Sequence, residues 1–185
     1  MNNSDPEIEY LNDFQQSVHC NNLSFLEFTD LFKNSDQCML NILNYNVRSF
    51  ECNKSHFLPL IEKASPSIFI ATETWLNDSY LPNIDGYDSY HTVRNDRQSG
   101  GVSIFVNESL NSKKIDEFSY CNRDIELCTV EVRMEGNFIH IFGIYRPHSG
   151  TVDSFIAEFD KVIRNPIFSN KKCCFGGDLN ICLLK

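Results

Sequence analysis

Short apolar segments rich in β-branched and aromatic residues recur along this chain, and each one stops at polar residues. Runs of this length are typical of strands buried in a sheet. The predicted strands are CMLNILNYNV (38–47), SIFIATE (67–73), GGVSIFV (100–106), 124–134, FIHIFGIY (138–145) and 173–175. Segments 124–134 and 138–145 flank Glu135-Gly136-Asn137, a plausible tight turn, and so predict an antiparallel hairpin.

Two helices are expected among these strands. The first covers His56–Ala64, where Pro59 is tolerated if it lies in the first turn. The second follows Thr151, a candidate N-cap, carries six apolar residues on one face between Val152 and Ile163, and ends before Pro166. A Gly-Gly turn is expected after the last strand. Strands mixed with helices and a hairpin predict an α/β protein with mixed sheets rather than a strict parallel array.

Residues 1–37 differ from the rest of the chain in being rich in Asn, Asp, Glu and Ser. We interpret them as an N-terminal arm or linker, with the folded domain spanning residues 38–185. A weakly apolar stretch at 23–32 leaves a second interpretation open, in which this part forms a helix packed on the core.

Composition excludes some classes of protein. Hydrophobic residues make up 42% of the chain, which excludes disorder of the whole. A net charge of −9 argues against a basic DNA-binding module, although less so against a carboxylate site that binds a cation. Eight Cys without a C-x-x-C pair, behind a polar N-terminus, predict reduced thiols in an intracellular protein, nuclear or cytoplasmic and not secreted. The apolar runs are too short to cross a membrane.

Polar side chains follow the predicted strands where each strand ends, on loops that a sheet would hold in place. In chain order they are Asn46, Glu73, Tyr145 and, on the last loop, Asp178 and Asn180. Each is ordinary alone: a Glu after a strand is usually solvated, and Gly-Asp-x-Asn is usually only a turn. Their combination and order suggest a site built at the ends of several strands.

This set of side chains suits hydrolysis of a phosphodiester, which needs a hard divalent cation on an anionic substrate. Mg²⁺ prefers oxygen ligands and often takes only one or two carboxylates, so Glu73 is the expected ligand of Mg²⁺ or Mn²⁺. Asp178 could orient or deprotonate the attacking water, while Tyr145 and Asn180 could donate hydrogen bonds to the phosphate. None of the five His is convincingly placed, and His148 is the nearest candidate.

Five segments carry a resemblance to a known family. They are LNYNVRSF (43–50), SPSIFIATETWLND (65–78), GYDSYHTVRNDRQSGGVSIFV (86–106), IHIFGIYRPHSG (139–150) and FGGDLN (175–180). Together they resemble the endonuclease/exonuclease/phosphatase superfamily, and more closely the apurinic-endonuclease-like domain of LINE-type (non-LTR) retrotransposons.

The resemblance implies a DNase I-like four-layer α/β sandwich with two mixed sheets. It implies Mg²⁺ bound by Glu73 with Asn46 in the same cluster, and action of Tyr145, Asp178 and Asn180 on the scissile phosphate or the water. The implied activity is DNA nicking that leaves a 3′-hydroxyl for a reverse transcriptase of the same element. The remaining substrate-binding candidates are Arg94, Arg97, Arg146 and His148. A monomer without membrane association is expected.

Two departures from the family stand out. Family members continue beyond Gly-Asp-x-Asn with strands that carry a closing Asp and His, whereas only residues 181–185 follow here. A C-terminally truncated domain is therefore expected, inactive or impaired as this fragment. In addition, Arg48 stands where the abasic-site repair relatives have an acidic metal partner. The alternatives to a nicking endonuclease are an inactive remnant of a mobile element and a phosphodiesterase or phosphatase acting on lipid or sugar phosphates.

Overall fold

The computed structural model describes residues 40–96, 99–134 and 136–181. The predictions for the arm at 1–37, for a helix at 23–32, for Arg97 and for Glu135 in the turn therefore lie outside the described residues. Within those ranges, no helix is long and apolar enough to cross a membrane.

The first sheet is built from apolar segments in the first half of the domain. Its strands are β1 (Ile42–Asn46), β2 (Ile68–Thr72), β3 (Tyr87–Thr92) and β4 (Val102–Asn107). They lie in the order β1-β2-β4-β3, with β1 parallel to β2 and the other neighbours antiparallel.

The second sheet contains the predicted hairpin. Its strands are β5 (Asn111–Lys114), β6 (Tyr120–Cys121), β7 (Glu126–Met134), β8 (Asn137–Tyr145) and β9 (Lys172–Asp178). The order is β5-β7-β8-β9, with β6 also paired to β7. Strands β7 and β8 are antiparallel, as predicted, and β8 runs parallel to β9. Each sheet therefore contains one parallel pair, at the edge where β1 or β9 lies.

In the described part of the chain, one helix packs on each sheet. Helix α1 (Phe50–Ala64) begins after Ser49, whose hydroxyl accepts a hydrogen bond from the Cys52 amide. Helix α2 (Val152–Ile163) begins after Thr151, whose hydroxyl accepts one from the Ser154 amide at 3.1 Å. Two short 3₁₀ helices, Asp116–Phe118 and Pro166–Phe168, complete the described elements.

Three apolar clusters show that these elements form four layers. One lies between α1 and the first sheet and contains Phe57 and Phe69. The second lies between the two sheets and contains Ile104 and Val130. The third lies between the second sheet and α2 and contains Phe155. The α/β architecture with two mixed sheets, predicted as a four-layer sandwich, is confirmed.

The first predicted helix and the Gly-Gly turn need correction. Helix α1 begins at Phe50 rather than at His56, so Pro59 lies inside the helix and not in its first turn. The Ser49 cap and the burial of three large apolar side chains on this helix outweigh the lost hydrogen bond at proline. Gly176 and Gly177 lie within β9, not in a turn.

Strands β3 and β5 were not predicted from the sequence. Strand β3 is YDSYHT and β5 is NSKK, and both lie at sheet edges with one face partly exposed. Such strands lack the apolar run that is typical of a buried strand, so neither the spacing of their apolar residues nor their composition predicts a strand.

Glycine is required at position 177 because β9 passes very close to β8 there. A Cβ added to Gly177 would lie 1.8 Å from the Ile144 carbonyl oxygen. At Gly176, a Cβ would lie 2.7 Å from Ile70 Cδ1 of the first sheet. The glycine pair therefore lets β9 approach both its neighbour and the opposite sheet.

We expect Gly177→Ala to lower the free energy of unfolding by about 3 kcal/mol or more, because the added methyl meets backbone that cannot move alone. The matched control is Gly86→Ala, where φ is +80° but nothing lies within 4 Å of the added Cβ. That variant should lose only about 1 kcal/mol. Urea unfolding of both variants measures the difference, and equal losses would contradict close packing at β9.

Candidate active site

The parallel strand pairs of the two sheets end at the same place. Asn46 pairs with Thr72 at the ends of β1 and β2, and Glu73 follows directly. Tyr145 pairs with Asp178 at the ends of β8 and β9. The Asn44 side chain joins the two sheets by donating to the Gly177 carbonyl at 3.1 Å. Four strand ends, two from each sheet, thus bring their polar residues to one edge of the sandwich.

The amide of Asn46 connects the two carboxylates at this edge. Its Nδ2 donates to Glu73 Oε1 at 2.8 Å and to Asp178 Oδ2 at 2.9 Å. The Tyr145 hydroxyl donates to the same Glu73 oxygen at 3.3 Å. Four of the five residues predicted for the catalytic and metal roles therefore form one hydrogen-bonded cluster.

Two neighbouring loops hold Glu73. The amides of Ser49 and Phe50 donate to the carbonyls of Glu73 and Thr74 at 2.8 and 2.9 Å, which ties the loop after β1 to the loop after β2. Glu73 itself has a φ of +53°, an uncommon conformation for a residue with a side chain. Backbone strain of this kind persists only where surrounding contacts impose it, and it concentrates at functional sites.

A buried ion pair supports the loop that carries Glu73 from the other sheet. The Trp75 amide donates to the Gly100 carbonyl at 2.9 Å, and the Gly101 amide donates to a Glu126 carboxylate oxygen at 2.5 Å. Arg94 Nη1 donates to the other Glu126 oxygen at 2.6 Å. Glu126 is fully buried on β7, so this network joins the second sheet to the backbone just beyond Glu73.

The Arg94 side chain is therefore bound inside the protein, whereas the sequence predicted that it contacts a phosphate of the substrate. Its side chain is 9% exposed and also donates to Asp96 and to the Asn122 carbonyl. The hydrogen bond to Asp96, followed by that to Glu126, raises the pKa of Arg94 and keeps the guanidinium charged. The sequence contains one indication of this network, the Arg-x-Asp-Arg segment that begins at Arg94 and is followed by Gly100-Gly101. Nothing in the sequence indicated that Arg94 pairs with Glu126.

The loop that follows β9 is shaped by Asp178, Asn180 and Arg146. The Asn180 amide donates to Asp178 Oδ1 at 3.1 Å, and the Asn180 side chain donates to the Arg146 carbonyl at 2.9 Å. The buried Arg146 guanidinium donates to the Leu179 carbonyl at 2.6 Å and to the Asn180 carbonyl. Arg146, predicted as a substrate contact, thus holds the loop in place.

The last predicted residue, His148, is exposed on the turn after Pro147 and has no hydrogen bond to the cluster within the described ranges. Asn180 belongs to the site in another way, since it lines an open pocket of about 480 Å³. The pocket is lined by Asn44, Asn46, Gly177, Asp178, Leu179, Asn180 and Ile181. Two members of the cluster, Asn46 and Asp178, therefore line a space large enough for a phosphate-bearing ligand.

Tyr145 is held as a neutral donor. Burial raises the pKa of Tyr145 to about 12, and the nearby charge of Glu73 adds to the rise. A hydroxyl that keeps its proton can donate a hydrogen bond to an anionic oxygen throughout the physiological range.

The donor set of the cluster fits a hard divalent cation. Glu73 and Asp178 share one neutral amide donor, and no Lys or Arg of the part that the structure describes forms an ion pair with either. Two carboxylates without a counter-charge attract a cation, and their oxygens suit Mg²⁺. Among the same residues no group of three or more His, Cys, Asp or Glu could hold a metal. A site here would thus rest on one or two carboxylates and water, because the Asn46 amide presents its nitrogen to both carboxylates.

Comparison with known proteins agrees with this geometry. Residues 43–183 match the Endonuclease/Exonuclease/phosphatase family. The chain belongs to this family. The matched range contains Asn46, Glu73, Tyr145, Asp178 and Asn180, so every residue of the candidate site lies inside the family match. No curated protein sequence matches the chain significantly.

Solved structures show the same fold at low sequence identity. The endonuclease domain of TRAS1, a telomere-specific non-LTR retrotransposon, is 15% identical with a TM-score of 0.61, covering 77% of this chain and 61% of that one. An AP endonuclease from Archaeoglobus fulgidus is 17% identical with a TM-score of 0.57, covering 77% and 58%. D. rerio TDP2 complexed with a single-strand DNA product is 14% identical with a TM-score of 0.57, covering 77% and 61%. The chain spans about three fifths of these structures.

We expect Glu73→Gln to raise the melting temperature in the absence of divalent cations. The glutamine keeps an oxygen for Asn46 and Tyr145 but removes one of two neighbouring negative charges, which stabilises by about 1 kcal/mol or about 3 °C. Adding 10 mM Mg²⁺ should raise the melting temperature of the native chain and leave this variant nearly unchanged.

Glu62→Gln, on the exposed face of α1, is the matched control and should behave as the native chain in both conditions. A melting temperature of Glu73→Gln that falls without Mg²⁺, or rises with it as in the native chain, would contradict the cation site.

Proposed function

We propose that this chain is the Mg²⁺-dependent, DNA-nicking endonuclease domain of a LINE-type retrotransposon, acting beside the reverse transcriptase of the same element. The observation that carries the proposal is the hydrogen-bonded cluster of Asn46, Glu73, Tyr145 and Asp178 at the edge shared by both sheets. The Arg-x-Asp-Arg and Tyr-Arg-Pro elements in this order support the retrotransposon branch.

Glu73 would hold the cation, with Asn46 in the same cluster, and the cation would supply positive charge to the phosphate when bound. Asp178 is fixed by hydrogen bonds to both oxygens, one from Asn46 and one from the Asn180 amide. A carboxylate so oriented can accept the proton of an attacking water. Tyr145, kept protonated by burial, donates to a phosphate oxygen as negative charge develops there.

Nicking of supercoiled plasmid in Mg²⁺ tests the proposal, measured on this chain and on the chain extended to the length of the solved relatives, of which it spans about three fifths. We expect Glu73→Gln and Asp178→Asn each to lower the rate by about 100-fold or more, because the first removes the ligand of the cation and the second removes the base that accepts the proton of the water. The matched controls, Glu62→Gln and Asp85→Asn, change exposed carboxylates elsewhere and should leave the rate unchanged.

The melting curve of each protein shows that it is folded before assay. A domain of full length that folds but does not nick DNA, or that nicks equally well as Glu73→Gln, would overturn the proposal. The net charge of −9 favours one alternative, a phosphatase of the same fold. Turnover of an inositol phosphate without any cleavage of DNA would support that alternative.

A further inference from the structure

Two exposed side chains that the proposed chemistry does not use lie on the two loops that follow β1 and β2, close in sequence to Asn46 and Glu73. Trp75, the only tryptophan of the whole sequence, is 44% exposed. Arg48 is exposed on the neighbouring loop. An exposed indole offers a ligand a large, flat, apolar face and one N–H donor.

The two loops that carry these residues are joined to each other and to the site. Hydrogen bonds from Ser49 and Phe50 to the carbonyls of Glu73 and Thr74 place the loops side by side. The Arg48 amide donates to Asn46 Oδ1 at 3.2 Å. Each of the two side chains starts two residues from a member of the cluster, at most about 7 Å between Cα atoms.

Both residues are held in strained backbone that turns them outward. The φ angles are +44° for Arg48 and +55° for Trp75, while the adjacent residues Ser49 and Thr74 are buried. The Asn53 side chain fixes the Arg48 carbonyl at 2.6 Å, and the Gly100 carbonyl fixes the Trp75 amide. The strain is therefore imposed by rigid neighbours on both sides of Glu73.

The chemistry of the two side chains is complementary to a nucleotide. Arg48 forms no ion pair within the described residues, although the chain as a whole is strongly acidic. A free guanidinium binds a phosphate through two parallel hydrogen bonds. An exposed indole stacks on a nucleobase, whichever base it is.

We infer that Arg48 and Trp75 form a nucleotide subsite beside the scissile phosphate. Arg48 contacts the phosphate next to the one that is cleaved, and Trp75 stacks on the base of that nucleotide. The inference rests on the proposed function and adds the residues that hold the nucleotide next to the one that is cleaved, since a nucleic acid offers a second phosphate and a base together. Sugar and lipid phosphates would leave the indole unused.

The single tryptophan makes this subsite observable by fluorescence. A single-stranded 12-mer, added without divalent cations so that it is not cleaved, should quench Trp75 emission. A 12-mer of abasic sugar-phosphate should bind through its phosphates with little quenching. Comparable quenching by the abasic chain, or none by either, would overturn the stacking contact.

Anisotropy of a labelled 12-mer measures each contact separately. Arg48→Ala should weaken binding about 10-fold and lower the salt dependence by about one phosphate contact. Trp75→Ala should weaken binding of the 12-mer about 10-fold and leave the abasic chain unaffected, while Trp75→Phe retains most of the affinity.

Arg133→Ala and Phe138→Ala are matched controls, because both residues are exposed at the opposite end of the β7–β8 hairpin. They should bind as the native chain does. Unchanged binding by Arg48→Ala and Trp75→Ala, in a protein that still nicks plasmid through Glu73, overturns the subsite and leaves the proposed function standing. Quenching of Trp75 by the 12-mer, when the domain of full length does not nick plasmid, would support the nucleotide subsite and overturn the proposed endonuclease function.

Discussion

The amide of Asn46 lies between Glu73 and Asp178, and the rest of the site depends on this bridge. It links two carboxylates that would otherwise repel each other, one from each sheet. A neutral donor offsets their repulsion only in part, so the cluster keeps an excess of negative charge that a hard cation can neutralise. The excess of negative charge lowers the stability of the folded protein, and with a bound cation it suits chemistry on an anionic substrate. Active sites commonly lose stability in this way.

The bridge forms only because both sheets place a parallel strand pair at the same edge. In a parallel pair the two strands end together, so β1 with β2, and β8 with β9, deliver their following residues to one point. Close approach of the sheets is needed as well, and Gly176 and Gly177 permit it where a side chain would collide with Ile70 or Ile144. The glycines of the Gly-Gly-Asp element thus act through packing, and they position the aspartate that follows.

Much of the site could be predicted from the sequence because polar residues after apolar strands are visible as a pattern. The chain order Asn46, Glu73, Tyr145 and Asp178 is a local signal, and the structure joins all four by hydrogen bonds. The pairing of Arg94 with Glu126 could not be predicted, since it depends on which loop of one sheet lies over which strand of the other. The true start of α1 was missed because the cap at Ser49 and burial of Phe50 outweigh the unfavourable Pro59.

A double-mutant cycle on Mg²⁺ affinity, measured by isothermal titration calorimetry, tests most directly whether the two sheets build one cation centre. If Glu73 and Asp178 act on the same ion, Glu73→Gln and Asp178→Asn each weaken binding, and the double variant is little weaker than the worse single variant. Losses that multiply would mean that the two carboxylates act independently. Such a result, or no binding of Mg²⁺ by the folded native chain, would contradict a shared centre.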